Sequence, residues 1–558
     1  MKYMPELFDD ILLRYGPWQE FERTPVRLLL HAGWKNPRVV GRSGDSGADI
    51  LATDPKGAIW VFQCKFSSKT PPGKQAINEI RKAGMIYDAD KLGIITSQQP
   101  TRAFFQELER LKGFGLQIQH LGPEDLKKAS YKVPLYVPSR PTLRDYQAEA
   151  VERLRSAVLE SGHGLIVLAT GLGKTVIVAE LVADLLSDGF LDRGRILVLA
   201  HTVTLVNQLL TSFWRHLPKT IPTHRLADGE KPSFFEGITF ATVQSLSNAN
   251  NLPYFDLVIV DEAHHLGAPG YSKTIEQLNP SKLIGITATP WRAEGTPITS
   301  ILGKPVFYMG IKEGLAQGYL SNVDYRIYLD SIDWKLVKSE SQYGYTIGQL
   351  NKKLIIPIRD DEAIHKIREV YDSNNRRRCI VFSPSQIHAQ SFASDLRRSG
   401  FTAASLTNTD EPTIRFKILS QFAANKIQFI CVVDIFNEGV DVPDVDMLVF
   451  LRVTHSRRIF VQQLGRGLRL SPTKDNVIVM DFAADIRRIH AAFDLLDNQD
   501  DNFVERLPLP HAVVNFIDRS MGNFFYEWIA DLGNIQDYEE DELVRLPILD
   551  PNQFNFPE

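Results

Sequence analysis

The stretch from Gly164 to Thr175, GLIVLATGLGKT, constrains this chain more than any other. An apolar strand breaks there into a glycine-rich turn that closes on Lys174-Thr175, the pattern of a phosphate-binding loop. With Thr170 at its entry, Gly171 and Gly173 let backbone N–H groups close around phosphate oxygens. Lys174 reaches the β- and γ-phosphates of ATP, and the Thr175 hydroxyl holds Mg²⁺. The residues that follow, 176–186, read as the helix whose N-terminus faces the anion. One position departs from the common pattern: five residues before Gly173 the chain has Leu168 rather than glycine. A second strand supplies what the loop alone lacks, because Leu257-Val258-Ile259-Val260 runs straight into Asp261-Glu262-Ala263-His264-His265. Acids at a strand end are what Mg²⁺-ATP needs. Asp261 is expected to hold the metal and Glu262 to polarise the attacking water.

A chain of 558 residues is too long for one core and suggests about three or four folding units. Its 44% hydrophobic and 23% charged residues are those of an ordinary globular protein. Asp9 and Asp10 fall inside what would have to be the apolar segment of a signal peptide, so the N-terminus reads as a helix. No apolar run approaches the length of a membrane span, and the expected setting is cytoplasmic, with no membrane partner. Cys64, Cys379 and Cys431 lie far apart in apolar strand-like runs, which suits buried thiols in a reducing compartment and excludes a zinc ribbon by count. The net charge of −4 gives no global basic footprint. Any nucleic-acid contact must then come from local clusters and backbone amides.

Residues 1–130 read as a first unit. A helix carries Trp18, Phe21 and the run Val26 to Leu30, and the glycine-rich approach Gly41 to Gly47 leads to Ala48-Asp49-Ile50-Leu51. A turn at Asp54-Pro55-Lys56-Gly57 separates this from a second strand, Ile59 to Phe66, making a hairpin. Side chains alternate along a strand, so Gln63 and Lys65 share a face while Cys64 points to the other, and Asp49 comes to the first face. A carboxylate, an amide oxygen and a lysine at one point are the parts of a Mg²⁺-dependent phosphodiesterase. The plainer alternative is the solvated face of an amphipathic strand.

These residues resemble the PD-(D/E)XK nuclease superfamily, and closely its Mrr-like restriction endonuclease branch, in which the last acid is commonly replaced by glutamine. Phe21-Glu22 corresponds to that branch's helical glutamate, Gly47-Ala48-Asp49-Ile50 to its Gly-x-Asp stretch and Gln63-Cys64-Lys65 to its Gln-Cys-Lys. Glu20 competes with Glu22 for the helical position. The segments 91–97 and 116–121 look like later strands of the same domain. The resemblance implies a Mg²⁺ site at Asp49 and Gln63, with Lys65 and Glu22 completing the catalytic set.

A proline-punctuated linker, 131–141, leads to a second array of motifs. Arg144 and Gln147 open a helix and resemble the adenine-reading motif of superfamily 2 helicases. The strand 196–201 ends before Thr202, and the strand 238–245 ends in the hydroxyl and amide side chains of Thr242, Gln244 and Ser245. In that superfamily these positions contact the nucleic-acid backbone, while helix capping by Thr202 and Ser245 is an equally compatible reading. His264, together with Thr287 and Thr289 of Thr287-Ala288-Thr289-Pro290, matches the motifs that couple hydrolysis to movement. Further on, Asn437-Glu438-Gly439-Val440-Asp441 and Gln462-Gln463-Leu464-Gly465-Arg466-Gly467-Leu468-Arg469 follow in the family's order. By the resemblance, Gly439 and Asp441 belong to the nucleotide site, Gln463 couples, and Arg466 and Arg469 are an arginine finger and its neighbour. Such a finger can be worth about 10³–10⁵ in rate. The group resembled contains the restriction subunits of type I and type III systems and the XPB-like repair helicases.

The expected fold is α/β, a restriction-endonuclease-like domain followed by two RecA-like parallel-sheet lobes at 142–302 and 361–490. Residues 303–360 are expected to connect them and 491–558 to form a C-terminal extension, whose acid run 537–542 reads as a solvated face. The resemblance implies an ATP-dependent DNA translocase with an attached endonuclease in restriction or phage defence, using ATP and Mg²⁺. Its partners would be DNA and defence-system proteins. The other reading is a repair or recombination motor whose nuclease-like domain only binds DNA.

Overall fold

The computed structural model describes residues 7–40, 47–191, 194–249, 252–288, 298–328, 345–346, 360–407, 409–433, 445–451, 470, 476–482, 513–515 and 543–544. But for Val167–Leu172, which group with the second unit, the nuclease-like sheet and the first parallel sheet belong to one compact unit, and the strands from residue 322 onward belong to the second.

The first unit begins with α1 (Asp10–Tyr15) and α2 (Trp18–His31), followed by β1 (Lys35–Val39), β2 (Ile50–Thr53) and β3 (Ile59–Lys65). After them come α3 (Gln75–Tyr87), β4 (Lys91–Thr96), α4 (Arg102–Gly113), β5 (Ile118–Leu121) and α5 (Pro123–Lys132). The five strands lie in sequence order. β1, β2 and β3 pair antiparallel, and β3, β4 and β5 pair parallel. The expected hairpin is present, with Ile50 opposite Phe62. That register puts Asp49, the residue before β2, beside Gln63.

Next come α6 (Asp145–Glu160), β6 (His163–Leu168), α7 (Lys174–Ser187), β7 (Arg195–Ala200) and α8 (Val203–Trp214). They are followed by β8 (Thr223–Leu226), β9 (Gly237–Thr242), α9 (Val243–Ser247), β10 (Leu257–Asp261) and β11 (Leu283–Thr287). Six strands of this sheet run in the order β6-β11-β10-β7-β9-β8. The pairs from β11 to β8 are all parallel. β7, β10 and β11 are buried along almost their whole length, as near-continuous apolar runs in a doubly covered parallel sheet must be.

The second unit has a seven-stranded sheet in the order Ala403–Leu406, Phe429–Val432, Cys379–Phe382, Met447–Phe450, Asn476–Asp481, Asn322–Tyr328, Val513–Asn515. Its first six strands pair parallel and the last antiparallel. Asn322–Tyr328 falls in the stretch expected to be a connector and Val513–Asn515 in the expected extension, yet both are strands of this sheet. Neither carries a motif, and only pairing with a distant strand reveals them. The acid run 537–542 lies outside the described residues. All three cysteines are free and buried. No described helix is long and apolar enough to cross a membrane.

α2 is buried nearly all round, including Arg23, Arg27 and His31. One side packs on β1, β2 and β3 and another on α8. Arg23 donates both guanidinium arms to Glu230, at 2.8 and 2.7 Å, and Arg225 donates to the same carboxylate at 2.9 Å. Arg27 donates to the carbonyls of Ile221 and Pro218, each at 2.9 Å, and lies 5.9 Å over the Trp214 ring. Burial pulls the pKa of Arg27 down to about 9.

The linker is also fixed. Lys219 donates to the carbonyls of Ser130 and Val133 at the end of α5, at 2.6 and 2.7 Å, serving groups that a helix C-terminus leaves without partners. Arg140 pairs with Glu180 on α7, whose carboxylate also bonds His216 at 2.7 Å.

Glu230→Ala would strand the buried Arg23 guanidinium and leave Arg225 only the Asp228 carboxylate at 4.0 Å, a change expected to cost about 3–5 kcal/mol. Removing the exposed Asp10 partner of Lys127 should change stability little. Calorimetric melting of both variants checks this, and equal shifts would contradict it.

Candidate functional site

The strand order brings the motif-bearing chain ends into one row. Along the carboxyl edge of the sheet, the phosphate loop after β6 is followed by Thr287 at the end of β11 and Asp261-Glu262 at the end of β10. His201-Thr202 after β7 and Thr242 at the end of β9 complete the row. In parallel sheets this edge is where ligands bind.

Gly171 and Gly173 have φ of 95° and 84°, left-handed values that let the loop turn back on itself before α7 begins at Lys174. Thr170 precedes that turn and Thr175 sits in the first turn of α7. Gln147 is buried, and its oxygen accepts from the Arg144 N–H at 3.0 Å, closing the start of α6. Its amide nitrogen would lie 2.6 Å from a Cβ at Gly173 and would have to shift to admit one, and the φ of 84° there disfavours any side chain.

Glu262 adopts φ 49°, the left-handed region, which side chains occupy at a cost and often at functional sites. Successive side chains of a regular strand point to opposite faces. The left-handed turn instead lets Asp261 and Glu262 both feel Lys174. Burial, then the Glu262 charge, push the Asp261 pKa up against the pull of Lys174. Burial also works to raise Glu262, but Lys174 and then His264 outweigh it and hold that carboxyl low. His264 Nδ1 lies 3.0 Å from the Thr287 hydroxyl and 3.3 Å from Glu262, joining the ends of β10 and β11.

Thr202 caps α8 by accepting from the Leu205 N–H at 3.2 Å. At the end of β9 the cap is Thr242, not Ser245 as sequence suggested. Thr242 Oγ1 accepts from the Ser245 N–H at 3.3 Å and donates to the Ser245 hydroxyl at 2.8 Å. The helix starts one residue after Thr242, which puts Ser245 in its first turn. Gln244 is exposed. Thr289, Gly439, Asp441, Gln463, Arg466 and Arg469 lie outside the described residues.

The nuclease-like residues gather at the open end of the β2–β3 hairpin. Asp49 accepts from the Cys64 N–H at 2.6 Å. Gln63 is 1% exposed, which excludes the solvated-face alternative for that position. Glu22 feels both Asp49 and Lys65: burial first, then the Asp49 charge, raise its pKa to about 8 against the pull of Lys65. Glu20 has a different setting. Burial raises its pKa to about 7, and its charged neighbours are Arg23, Glu230 and Asp9. Of the two helical acids, Glu22 is therefore the one at the hairpin.

Sequence reasoning missed Glu79 on α3, whose Oε2 accepts from Lys65 Nζ at 2.6 Å and from Gln63 Nε2 at 2.5 Å. The residue lies 14 positions beyond Lys65 in an ordinary amphipathic helix, and nothing in its neighbourhood marks it. The nearest signal is Gly47, at φ 86°, where a Cβ would meet the Glu79 backbone at 2.9 Å. Among the described residues no group of three His, Cys, Asp or Glu side chains is placed to hold a metal. A cation at the hairpin would need an amide in its donor set. Gln63 Oε1 fits that need, being buried without a hydrogen-bond partner.

Three family models match the chain: Restriction endonuclease over 13–118, Type III restriction enzyme, res subunit, over 140–292, and Helicase conserved C-terminal domain over 362–471. The chain is 27% identical over 362 residues to the putative ATP-dependent helicase IRC3 of Saccharomyces cerevisiae, covering 62% of this chain and 52% of that protein. It is 28% identical over 366 residues to the DNA 3'-5' translocase XPB2 of Sulfurisphaera tokodaii, covering 59% and 78%. To the type I restriction enzyme EcoKI endonuclease subunit of Escherichia coli it is 24% identical over 424 residues, covering 64% and 35%. The chain thus spans little more than half of the yeast protein and about a third of the EcoKI subunit. The solved ATP-dependent Type ISP restriction-modification enzyme LlaBIII bound to DNA matches with a TM-score of 0.51 at 18% identity, over 95% of this chain and 42% of that one, a likeness of fold. The chain therefore carries, in order, stretches that match a restriction endonuclease domain, the res subunit of type III restriction enzymes and a helicase C-terminal domain, and it is similar to a type I restriction subunit and to an XPB translocase.

Proposed function

We propose that this chain is an ATP-dependent DNA translocase that carries its own Mg²⁺-dependent endonuclease and serves in cytoplasmic restriction or anti-phage defence, with partner proteins supplying modification or target recognition. The observation that carries the reading is the meeting of Glu22, Asp49, Gln63 and Lys65 on a domain whose α2 is locked into the ATP-binding lobe through Arg23 and Glu230. In the nucleotide site Lys174 neutralises the β- and γ-phosphates, Thr175 and Asp261 hold the metal, and Glu262 orients the attacking water. His264 and Thr287 pass the change at Glu262 to the next strand. Arg466 and Arg469 are assigned the arginine-finger roles, Gly439 and Asp441 nucleotide contacts and Gln463 coupling. Thr202, Thr242 and Gln244 are assigned to the DNA backbone. In the nuclease site Asp49 and Gln63 hold the metal, and Lys65 stabilises the charge that develops on phosphate. Bound Mg²⁺ supplies charge neutralisation and an acidified water.

Cleavage of linear and circular duplex DNA with Mg²⁺, with and without ATP, tests the reading. Lys65→Ala should abolish cleavage and keep DNA-stimulated ATP hydrolysis, and Lys174→Ala should lose ATP hydrolysis and the ATP dependence of cutting. Absence of cleavage under every condition, with DNA-stimulated hydrolysis intact, would favour the motor with a DNA-binding relic.

A second expectation concerns pH. Glu22 holds its proton in the folded chain up to about pH 8, whereas an unfolded glutamate releases it near about 4.3. The folded state binds the extra proton between those values. The contribution of Glu22 to stability is therefore complete below that window and is lost as pH rises through it. Glu22→Gln removes the ionisation, so its melting temperature should rise relative to the unsubstituted protein between about pH 5 and about pH 8.5. A constant difference across that range would contradict the assignment.

A further inference from the structure

Asp49 and Gln63 carry only one negative charge between them, which makes a weak pair of donors for a divalent cation. Three chain segments meet where that deficit lies. The loop entering β2 presses Gly47 against the backbone of Glu79, β3 presents Gln63 and Lys65, and α3 presents Glu79. One carboxylate oxygen, Glu79 Oε2, takes both the Gln63 amide and the Lys65 ammonium. A carboxylate accepts and does not donate, so the amide face turned towards it must be the NH₂. The Gln63 oxygen is thereby forced to the opposite side, where it is buried and has no donor. A buried acceptor in that state is unfavourable unless an electropositive group completes it. Glu79 itself is 44% exposed and Lys65 36%, so the site is open to solvent and to an entering phosphate.

We propose that Glu79 is the positioning residue of the nuclease site. It locks the Gln63 amide with Oε1 facing the cation, steadies Lys65, and returns from α3 the negative charge that a glutamine at position 63 leaves out. The inference rests on the reading of this site as a divalent-cation nuclease.

Mn²⁺ binding to the nucleotide-free full chain, followed by calorimetry and electron paramagnetic resonance, tests it without relying on cleavage. Asp49→Ala should remove the site, and Glu79→Gln should weaken Mn²⁺ binding by about 10–100-fold, the usual effect of losing a group that orients a ligand. Gln63→Glu combined with Glu79→Gln exchanges amide and carboxylate across the same bond, and should restore most of the affinity. DNA-stimulated ATP hydrolysis checks that each variant is folded. Mn²⁺ binding that is lost in Asp49→Ala and unchanged in Glu79→Gln would overturn the role of Glu79 alone, as would a double variant no tighter than Glu79→Gln. Binding indifferent to both Asp49→Ala and Glu79→Gln would overturn the nuclease reading, and this inference with it.

Discussion

Lys174 is the charge shared by the two acids at the carboxyl edge of the first parallel sheet. It must meet both Asp261 and Glu262, and two neighbouring side chains on a regular strand cannot both face one ammonium. The chain resolves this with a left-handed residue at Glu262 and with β11 inserted between the phosphate loop and β10. Thr287 then stands between the phosphate loop and the acidic pair and bonds His264. Motifs scattered over more than a hundred residues of sequence become neighbours because parallel strands put all their carboxyl ends on one side.

Much of this was legible in the sequence because phosphate chemistry leaves local marks. Glycines with φ near 90° in the loop and an acid pair closing an apolar strand are readable one segment at a time. The α/β fold with a nuclease-like domain ahead of parallel-sheet lobes follows from the same marks. What stayed hidden is what depends on distant partners. Asn322–Tyr328 is a strand because Asn476–Asp481 pairs with it, and its own residues say little. Thr242 rather than Ser245 became the cap because the β9 strand stops earlier than its apolar run suggests. Glu79 looked like any exposed acid on an amphipathic helix until the fold set Gln63 and Lys65 against it. The choice between Glu20 and Glu22, open on the sequence, is one of helix face: Glu22 faces Asp49 and Lys65, and Glu20 faces Arg23 and Glu230.

The contacts between the nuclease-like domain and the ATP-binding lobe are buried and charged, which is unusual for two units joined by a proline-rich linker. Glu230 compensates two guanidinium groups, while Arg27 relies on backbone carbonyls and the face of Trp214. Pairing of this kind adds less to stability than apolar packing of the same volume, but it tolerates little misalignment. α8, against which α2 packs, is capped by Thr202, so a path of packed helices runs from the hairpin acid to the edge of the parallel sheet.

α2 therefore has a phase as well as a position. Each helical residue turns the chain by about 100°, and Glu22 and Arg23 are adjacent, so the acid and the anchor cannot be reset independently. One inserted residue between them would leave either the hairpin without its glutamate or Glu230 without its guanidinium. The boundary near residue 130 is accordingly a feature of chain topology only. In evolutionary terms the two domains can be exchanged for relatives only as a matched pair, because a cutting domain from another lineage would have to arrive with its helix already in register with this lobe.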